Sequence, residues 1–212
     1  MNLKKLFLLA TVLILNYKME AQIKAVTSDG EEVLLYDDGS WKYASKKDAP
    51  SKAIPIIEEP FSYSKESTFL VKSKVVKFGV QINPKVWSFE KGEDGGAAEY
   101  SFQLKGKDAY GMLICERLDI SVESLKSIAY KNGLNAAPDL KITKEEYRTV
   151  NGLKILFMQM EGTIEGMEFV YCGYYYASEL GSVQFLTYTS KKLLTEHFST
   201  MESLLNGFVS VE

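Results

Sequence analysis

The sequence is poor in the side chains on which most catalytic and metal sites depend. It contains one histidine, His197, and two cysteines, Cys115 and Cys172, among 212 residues. One imidazole and two distant thiols do not supply the ligand cluster of a zinc site. A serine hydrolase would need a serine and an acid around His197, and no GxSxG motif is present. We therefore predict no catalytic residue, no metal site and no cofactor, with a hydrolase that pairs His197 with a carboxylate as the alternative.

The chain also lacks an excess of positive charge and any long apolar segment beyond its start. Lys and Arg total 25 against 28 Asp and Glu, for a formal net charge of −3. No basic stripe is interleaved with aromatic residues, so nucleic acid is not an expected partner. No later segment approaches the roughly 20 apolar residues that a membrane-spanning helix needs. We expect no transmembrane anchor after processing.

The first 22 residues have the pattern of a secretory signal peptide. Lys4 and Lys5 precede an unbroken apolar run from Leu6 to Leu15, and Ala21 is a small residue before a plausible cleavage point. The run is about half the length needed to cross a bilayer as a helix. There is no cysteine nearby for lipid attachment. The pattern predicts a protein secreted to the periplasm or the extracellular space, with an uncut N-terminal anchor as the alternative.

Turn residues divide the rest of the chain into a meander, a linker and a main domain. Two Asp-Gly pairs, at 29–30 and 38–39, separate short apolar runs and predict a three-stranded β-meander over residues 23–43. Three prolines among serines and lysines predict a linker over residues 44–68, whose "AIPIIEEPF" stretch is apolar enough to contact a surface. The main domain is predicted to span residues 69–212.

The main domain reads as α+β. Strand-like segments include "VVKFGVQINP", "AEYSFQLK" and "YGMLICERL", and Asn151-Gly152 predicts a hairpin turn. The segment "EGTIEG" reads as a link to the next strand. A helix is expected over residues 122–132, with Ser121 as its N-cap and Gly133 as its stop. A second helix near the C-terminus follows from an apolar stripe, with Thr189 or Ser190 as its cap. The stripe consists of Leu194, Phe198, Met201, Leu205 and Phe208.

The strand that contains "YCGYYY" is aromatic on both faces. Because side chains alternate along a strand, Phe169, Tyr171, Gly173 and Tyr175 share one face, while Val170, Cys172, Tyr174 and Tyr176 share the other. Such a strand is typical of the middle of a sheet that is covered on both sides. We interpret its tyrosines mainly as packing residues. The alternative is a ligand-binding cleft, for which the candidate residues are Trp87, Tyr174 and Tyr176.

Three smaller features are assigned structural roles. Glu161, Glu165 and Glu168 could hold a hard cation, but calcium-loop spacing is absent and solvated turn charges are the favoured interpretation. The "GEDGG" segment is a turn that lacks the Lys and Ser or Thr of a phosphate loop. Cys115 and Cys172 lie on separate apolar strands, and two buried thiols are favoured over a disulfide.

The region from Val76 to Val209 resembles the PsbP-like superfamily, named after an extrinsic subunit of photosystem II. The resemblance lies in the order of "FGVQINPKVW", the middle helix, "NGLKILFMQMEG", "MEFVYCGYYY", "SVQFLTYTS" and "FSTMESLLNGF". Gly207-Phe208 stands where the family closes with Ser-Phe. The resemblance implies an antiparallel sheet flanked by helices in an α/β/α sandwich, with binding or assembly roles and no catalysis. No set of functional residues carries over, since relatives bind unrelated partners.

The leading hypothesis is a non-enzymatic domain of the bacterial cell envelope that binds a protein or a small ligand. A large exposed aromatic patch around Trp87, Tyr174 and Tyr176 would favour ligand binding. A sealed sheet would favour an assembly factor with a protein partner. The hydrolase alternative requires a cleft in which His197 is hydrogen-bonded to a carboxylate.

Overall fold

The computed structural model describes residues 23–27, 31–37, 39–43, 53–93 and 95–211. Contacts divide the chain into two compact units, a small N-terminal one and a large one. The predicted signal peptide, residues 1–22, lies outside the described residues. Neither helix of the described part of the chain has the length and apolar character needed to span a membrane.

The small unit is a three-stranded antiparallel meander. It consists of β1 (Ile23–Val26), β2 (Glu32–Leu35) and β3 (Trp41–Tyr43), paired in that order. Gly39, in the turn between β2 and β3, has φ of 81°, a conformation that favours glycine. The Trp41 and Tyr43 rings meet edge to face with centroids 5.3 Å apart, and both side chains are about half exposed.

The large unit contains two sheets and two helices. Its strands are β4 (Phe69–Lys72), β5 (Phe78–Ile82), β6 (Trp87–Lys91), β7 (Tyr100–Leu104), β8 (Ala109–Glu116), β9 (Lys141–Val150), β10 (Leu153–Ile164), β11 (Met167–Ser178), β12 (Gly181–Ser190) and β13 (Phe208–Ser210). The helices are α1 (Val122–Ala136) and α2 (Leu194–Leu205), the latter preceded by a 3-10 turn at Lys191–Leu193. A seven-stranded antiparallel sheet has the order β6-β7-β8-β12-β11-β10-β9, and a three-stranded sheet has the order β13-β5-β4.

Tight turns fix the register of the longest strands. Asn151 and Gly152 have φ of 48° and 84°, which matches the two-residue turn that Asn-Gly predicts between β9 and β10. Glu165 and Gly166 form a similar turn, with φ of 51° and 79°. The predicted "EGTIEG" link is therefore mostly strand, because β10 continues to Ile164 and pairs there with Met167.

Each face of the seven-stranded sheet carries its own apolar cluster. On one face, Phe157, Tyr174 and Phe185 pack with α2 and with the three-stranded sheet. On the other face, Met158 and Tyr175 pack with α1. The α+β class is confirmed. The layer that contains α2 also holds a β-sheet, so it is not the purely helical layer that an α/β/α sandwich implies.

The helix predictions are right in placement and wrong at their C-terminal ends. Ser121 caps α1 by accepting a hydrogen bond from the Ser124 amide. Gly133 does not stop α1, which continues to Ala136; a Cβ at Gly133 would lie 2.5 Å from Leu140 Cδ2, so the glycine permits close packing instead. The predicted stripe of α2 wrongly included Phe208, which lies in β13.

The caps of the second helix also differ from prediction. Ser190 occupies the N-cap position of the 3-10 turn but makes no side-chain capping hydrogen bond. Leu204 is a buried residue of α2 that the predicted stripe omitted. The stripe residues Met201 and Leu205 are fully buried, as predicted, and Leu204 widens the buried face of α2.

The described part of the predicted linker, residues 53–68, lies against the main domain. Ile56 and Phe61 form parallel bridges to Tyr147 and Val150 of β9. The Ile57 amide donates to the Tyr147 carbonyl at 2.8 Å, and the Phe61 amide donates to the Thr149 carbonyl at 2.8 Å. This segment therefore covers the free edge of β9, which would otherwise present unpaired backbone groups.

Candidate functional site

The three tyrosine and tryptophan candidates lie on the face of the large sheet that is covered by α2. Trp87 is 3% exposed and Tyr174 is 1% exposed, while Tyr176 is half-buried with its ring 5.0 Å from that of Phe78. Together they form no exposed aromatic patch. Ligand binding by these residues stays an untested prediction.

The Tyr174 hydroxyl belongs to a buried polar network that ties β9, β11 and α2 together. It donates to Asn206 Oδ1 at 2.6 Å and accepts from Arg148 Nη1 at 3.2 Å. The Arg148 guanidinium also contacts Glu146 Oε1 at 2.7 Å and Glu202 Oε1 at 2.8 Å. Every member of this network has a partner, which is the condition under which buried polar groups are tolerated.

Aromatic rings complete the surroundings of Arg148. Its guanidinium carbon lies 3.9 Å from the Phe157 ring centroid and 4.5 Å from that of Phe61, on the segment that covers β9. Burial by itself raises the pKa of Glu146, but hydrogen bonds from Arg148 and Lys144 outweigh it and hold that pKa below its ordinary value. The network is internal and links α2 to the large sheet through Arg148 and Glu202.

His197 is buried on α2, and its geometry does not match a catalytic dyad. Its Nδ1 lies 3.9 Å from Glu196 Oε1, beyond hydrogen-bond distance, and Glu196 is an exposed neighbour in the chain that binds Lys107 at 3.0 Å. Cys115 and Cys172 are free and buried. Burial raises the pKa of each thiol to about 12, which leaves both unreactive.

Two of the three acidic residues of the β10–β11 hairpin form ion pairs with one lysine. Lys191 Nζ lies 3.0 Å from Glu161 Oε2 and 3.2 Å from Glu168 Oε1. Among the residues that the structure describes, no group of three His, Cys, Asp or Glu side chains is placed to hold a metal ion.

A cleft of about 360 Å³ lies between α1 and the face of the large sheet opposite α2. We refer to it as the α1 cleft. Apolar side chains line most of it, from α1, from the segments on either side of α1, and from β8, β10, β11 and β12. The apolar lining includes Leu118, Ile120, Leu125, Ile128, Ala129, Ala136, Leu140, Met160, Ile164 and Leu186. The polar lining residues include Glu116, Asn132 and Gln184, and among the described lining residues Glu116 contributes the one carboxylate.

Tyr175 lines the α1 cleft, and Gly173 lies beside its ring. Tyr175 is fully buried, and its hydroxyl has no hydrogen-bond partner among the described residues. A Cβ at Gly173 would lie 2.4 Å from Leu186 Cδ2, 2.9 Å from Tyr175 Cε2 and 3.1 Å from the Tyr175 hydroxyl. The absence of a side chain at Gly173 therefore lets the Tyr175 ring lie along the strand, with its hydroxyl beside Gly173.

A row of three tyrosines continues from the α1 cleft across neighbouring strands. Tyr171, which lines the cleft, pairs in register with Tyr188, and Tyr188 pairs with Tyr110. Neighbouring ring centroids are 5.4 and 5.5 Å apart, with interplanar angles of 30° and 25°. All three side chains are half-buried. This face thus offers aromatic surface next to an apolar cleft.

Sequence reasoning assigned the correct faces to the tyrosines of β11 but took its ligand-binding candidates from the face that packs with α2, where Trp87 and Tyr174 are buried. Alternation placed Tyr171 and Tyr175 together with Gly173, as observed. The helix that roofs the cleft is α1, which is far from β11 in sequence. Gly173 was a sequence signal for the cleft face, because a glycine within a strand can mark the close approach of another group.

Comparison with known proteins identifies the fold and nothing finer. No family model and no curated protein matches the sequence. The structure of cyanobacterial PsbP from Synechocystis sp. PCC 6803 superposes with a TM-score of 0.51 and 9% identity, over 67% of this chain and 91% of that chain.

Two further solved structures superpose with lower scores. LpqN of Mycobacterium tuberculosis, which is involved in cell envelope biogenesis, has a TM-score of 0.48 and 10% identity over 68% of this chain and 90% of its own. A protein of unknown function from Pseudomonas aeruginosa has a TM-score of 0.43 and 12% identity, over 59% and 83%. The assignment therefore rests on the cyanobacterial protein, and the large unit of this chain has the PsbP-like fold.

Proposed function

We propose that this chain is an exported, non-catalytic domain of the bacterial cell envelope that binds a small apolar molecule in the α1 cleft. The observation that carries the proposal is the cleft itself. Its volume of about 360 Å³ lies within the range of ligand-binding pockets, and its walls are mainly aliphatic. Export is supported by the pattern of the first 22 residues.

The position of the cleft also supports binding. It is formed where α1 leaves part of the sheet face uncovered, so it has a mouth through which a molecule could enter. Ile114 and Leu186 are only partly buried there, although their side chains are apolar. A ligand that covers them removes apolar area from water, at roughly 25 cal/mol per Å².

The non-catalytic part of the proposal is supported by the partners of the titratable residues. The buried Glu146 and Arg148 neutralise each other, and both thiols have raised pKa values. The hydrolase alternative depends on His197, whose nearest carboxylate belongs to the exposed Glu196. A catalytic histidine needs a partner that orients it, and Glu196 is held by Lys107 instead.

Binding can be tested with an uncharged fluorescent probe, N-phenyl-1-naphthylamine, titrated into the purified protein. Ala136 and its neighbour Asn135 are both exposed, but only Ala136 lines the cleft. An Ala136→Trp substitution places an indole at the solvent-facing edge of the cleft, where it narrows the entrance, and Asn135→Trp places the same group at an exposed position of α1 that does not line the cleft. We expect saturable fluorescence enhancement with the wild type and with Asn135→Trp, and a loss of at least about tenfold in affinity with Ala136→Trp.

Equal probe binding by the two tryptophan variants would refute the α1 cleft as the site. No saturable binding by the wild type would refute the proposal of an apolar ligand. Attention would then return to a protein partner in the envelope.

A further inference from the structure

We propose that the ligand of the α1 cleft carries an uncharged oxygen, a carbonyl or hydroxyl, that hydrogen-bonds the hydroxyl of Tyr175. This inference rests on the proposed function and names the chemical class of the ligand. The observation behind it is a buried polar atom with no partner among the described residues, in the wall of an apolar cavity.

An unpartnered buried hydroxyl is costly, because it gives up its hydrogen bonds to water and gains none in return. The neighbouring Tyr174 shows how the same fold satisfies a buried phenol. Its hydroxyl has both a donor and an acceptor as partners on the opposite face of the sheet. Tyr175 is equally buried, yet the described residues around it supply neither. A partner supplied by a ligand would remove this cost.

The position of the hydroxyl points to a partner from within the cleft. It lies beside Gly173, whose missing side chain makes room for the Tyr175 ring, and the Leu186 side chain borders the same space, so a ligand atom reaches the hydroxyl by displacing Leu186. Tyr175, Gly173 and Leu186 all belong to the cleft face of the sheet. A group that reaches the hydroxyl must therefore cross apolar walls.

The charges of the cleft lining disfavour an ionised ligand group beside the Tyr175 hydroxyl. In the part of the lining that the structure describes there is no lysine or arginine, and its one carboxylate, Glu116, is negative when ionised. An anionic head group would lose its hydration without gaining a counter-charge. Burial raises the pKa of Tyr175, so the phenol keeps its proton and can donate to a neutral acceptor. A ketone, ester, amide or alcohol oxygen meets these conditions.

The test compares two probes of nearly the same shape, 2-acetonaphthalene and 2-ethylnaphthalene, which differ in a carbonyl oxygen. Their dissociation constants are measured by equilibrium dialysis against the full chain and against Tyr175→Phe. We expect the preference of the wild type for the ketone over the hydrocarbon to fall by about tenfold in Tyr175→Phe. Hydrocarbon affinity should stay within about twofold, which also shows that the cleft of the variant is intact.

Tyr171→Phe is the matched control, since Tyr171 lines the same cleft but its side chain is only half-buried. Its ketone preference should equal that of the wild type. If both probes bind and Tyr175→Phe leaves the preference unchanged, or if Tyr171→Phe lowers it equally, the inference is overturned while the proposed function stands. If neither probe binds the wild type, the proposed function fails and this inference fails with it.

Discussion

Replacement of Tyr174 and Tyr175 by phenylalanine should have opposite effects on stability. Each change removes one oxygen from a fully buried ring on β11, so the two variants are matched in sequence position, burial and chemistry. They differ in the partners of the oxygen. Tyr174 binds Asn206 at 2.6 Å and Arg148 at 3.2 Å, whereas the Tyr175 hydroxyl has no partner among the described residues.

The expected magnitudes follow from these contacts. Tyr174→Phe removes a hydrogen bond to a buried guanidinium and leaves the Asn206 oxygen without its donor, so it should lower the free energy of unfolding by about 2 kcal/mol. Tyr175→Phe removes an unsatisfied polar atom and should raise that free energy by about 1 kcal/mol in the absence of ligand. The two variants should therefore differ by about 3 kcal/mol.

Urea unfolding followed by far-ultraviolet circular dichroism measures this difference, provided that the m-values of the variants agree. If Tyr175→Phe is destabilised as much as Tyr174→Phe, the Tyr175 hydroxyl is satisfied in solution. That result would refute the reasoning on which the recognition of a ligand oxygen depends.

Four further predictions concern the buried charges, the thiols and the packing of Gly173 beside the cleft. Arg148→Ala should lower the free energy of unfolding by about 3–5 kcal/mol in urea, because it leaves Glu146 buried without its main partner. The folded protein holds the pKa of Glu146 below its usual value, so the contribution of Glu146 to the free energy of unfolding should be fully present above pH 4.5. That contribution should be lost as the pH falls through the folded-state pKa. In Glu146→Gln, urea unfolding at acid pH should show a smaller loss of stability. Cys115 and Cys172 should react with a disulfide reagent at pH 8 only after denaturation. Gly173→Ala should cost about 1–3 kcal/mol in thermal unfolding and weaken probe binding, because its methyl group would displace Leu186 and Tyr175, which line the cleft.

Each of these predictions can fail in a specific way. A loss below about 1 kcal/mol for Arg148→Ala would mean that Glu146 reaches water once its partner is gone. An unchanged acid slope in Glu146→Gln would assign the slope to other carboxylates. Rapid thiol labelling of the native protein would show that the strands around the cysteines open readily, and unaltered probe binding by Gly173→Ala would place the ligand away from Leu186 and Tyr175.

Local sequence signals were sufficient for the elements that depend on near neighbours. Asn151-Gly152 predicted its hairpin because few other residue pairs adopt positive φ at both positions. Ser121 predicted the start of α1 because its hydroxyl can accept from an amide three residues later. Alternation along β11 gave the correct division of its side chains between the two faces, which depends only on strand geometry.

Contacts between distant segments could not be read in the same way. The end of α1 was misplaced because Gly133 serves packing against Leu140 and does not terminate the helix. Phe208 continues the spacing of the α2 stripe, but it pairs with Val80 of β5, and that pairing has no local signal. The α1 cleft depends on how much of the sheet α1 covers, so its lining could not be identified from β11 alone.

The proposed function requires that an apolar ligand occupies the α1 cleft, and chemical-shift mapping by NMR tests this directly. 2-Acetonaphthalene is added to the isotopically labelled protein, and perturbed backbone amides are mapped onto the structure. We expect the largest chemical-shift changes at residues around the cleft, such as Leu125, Gly133 and Gly173. Little change is expected near Trp87 on the opposite face. Shifts centred on Trp87, or no saturable shifts in the large unit, would contradict the proposed function.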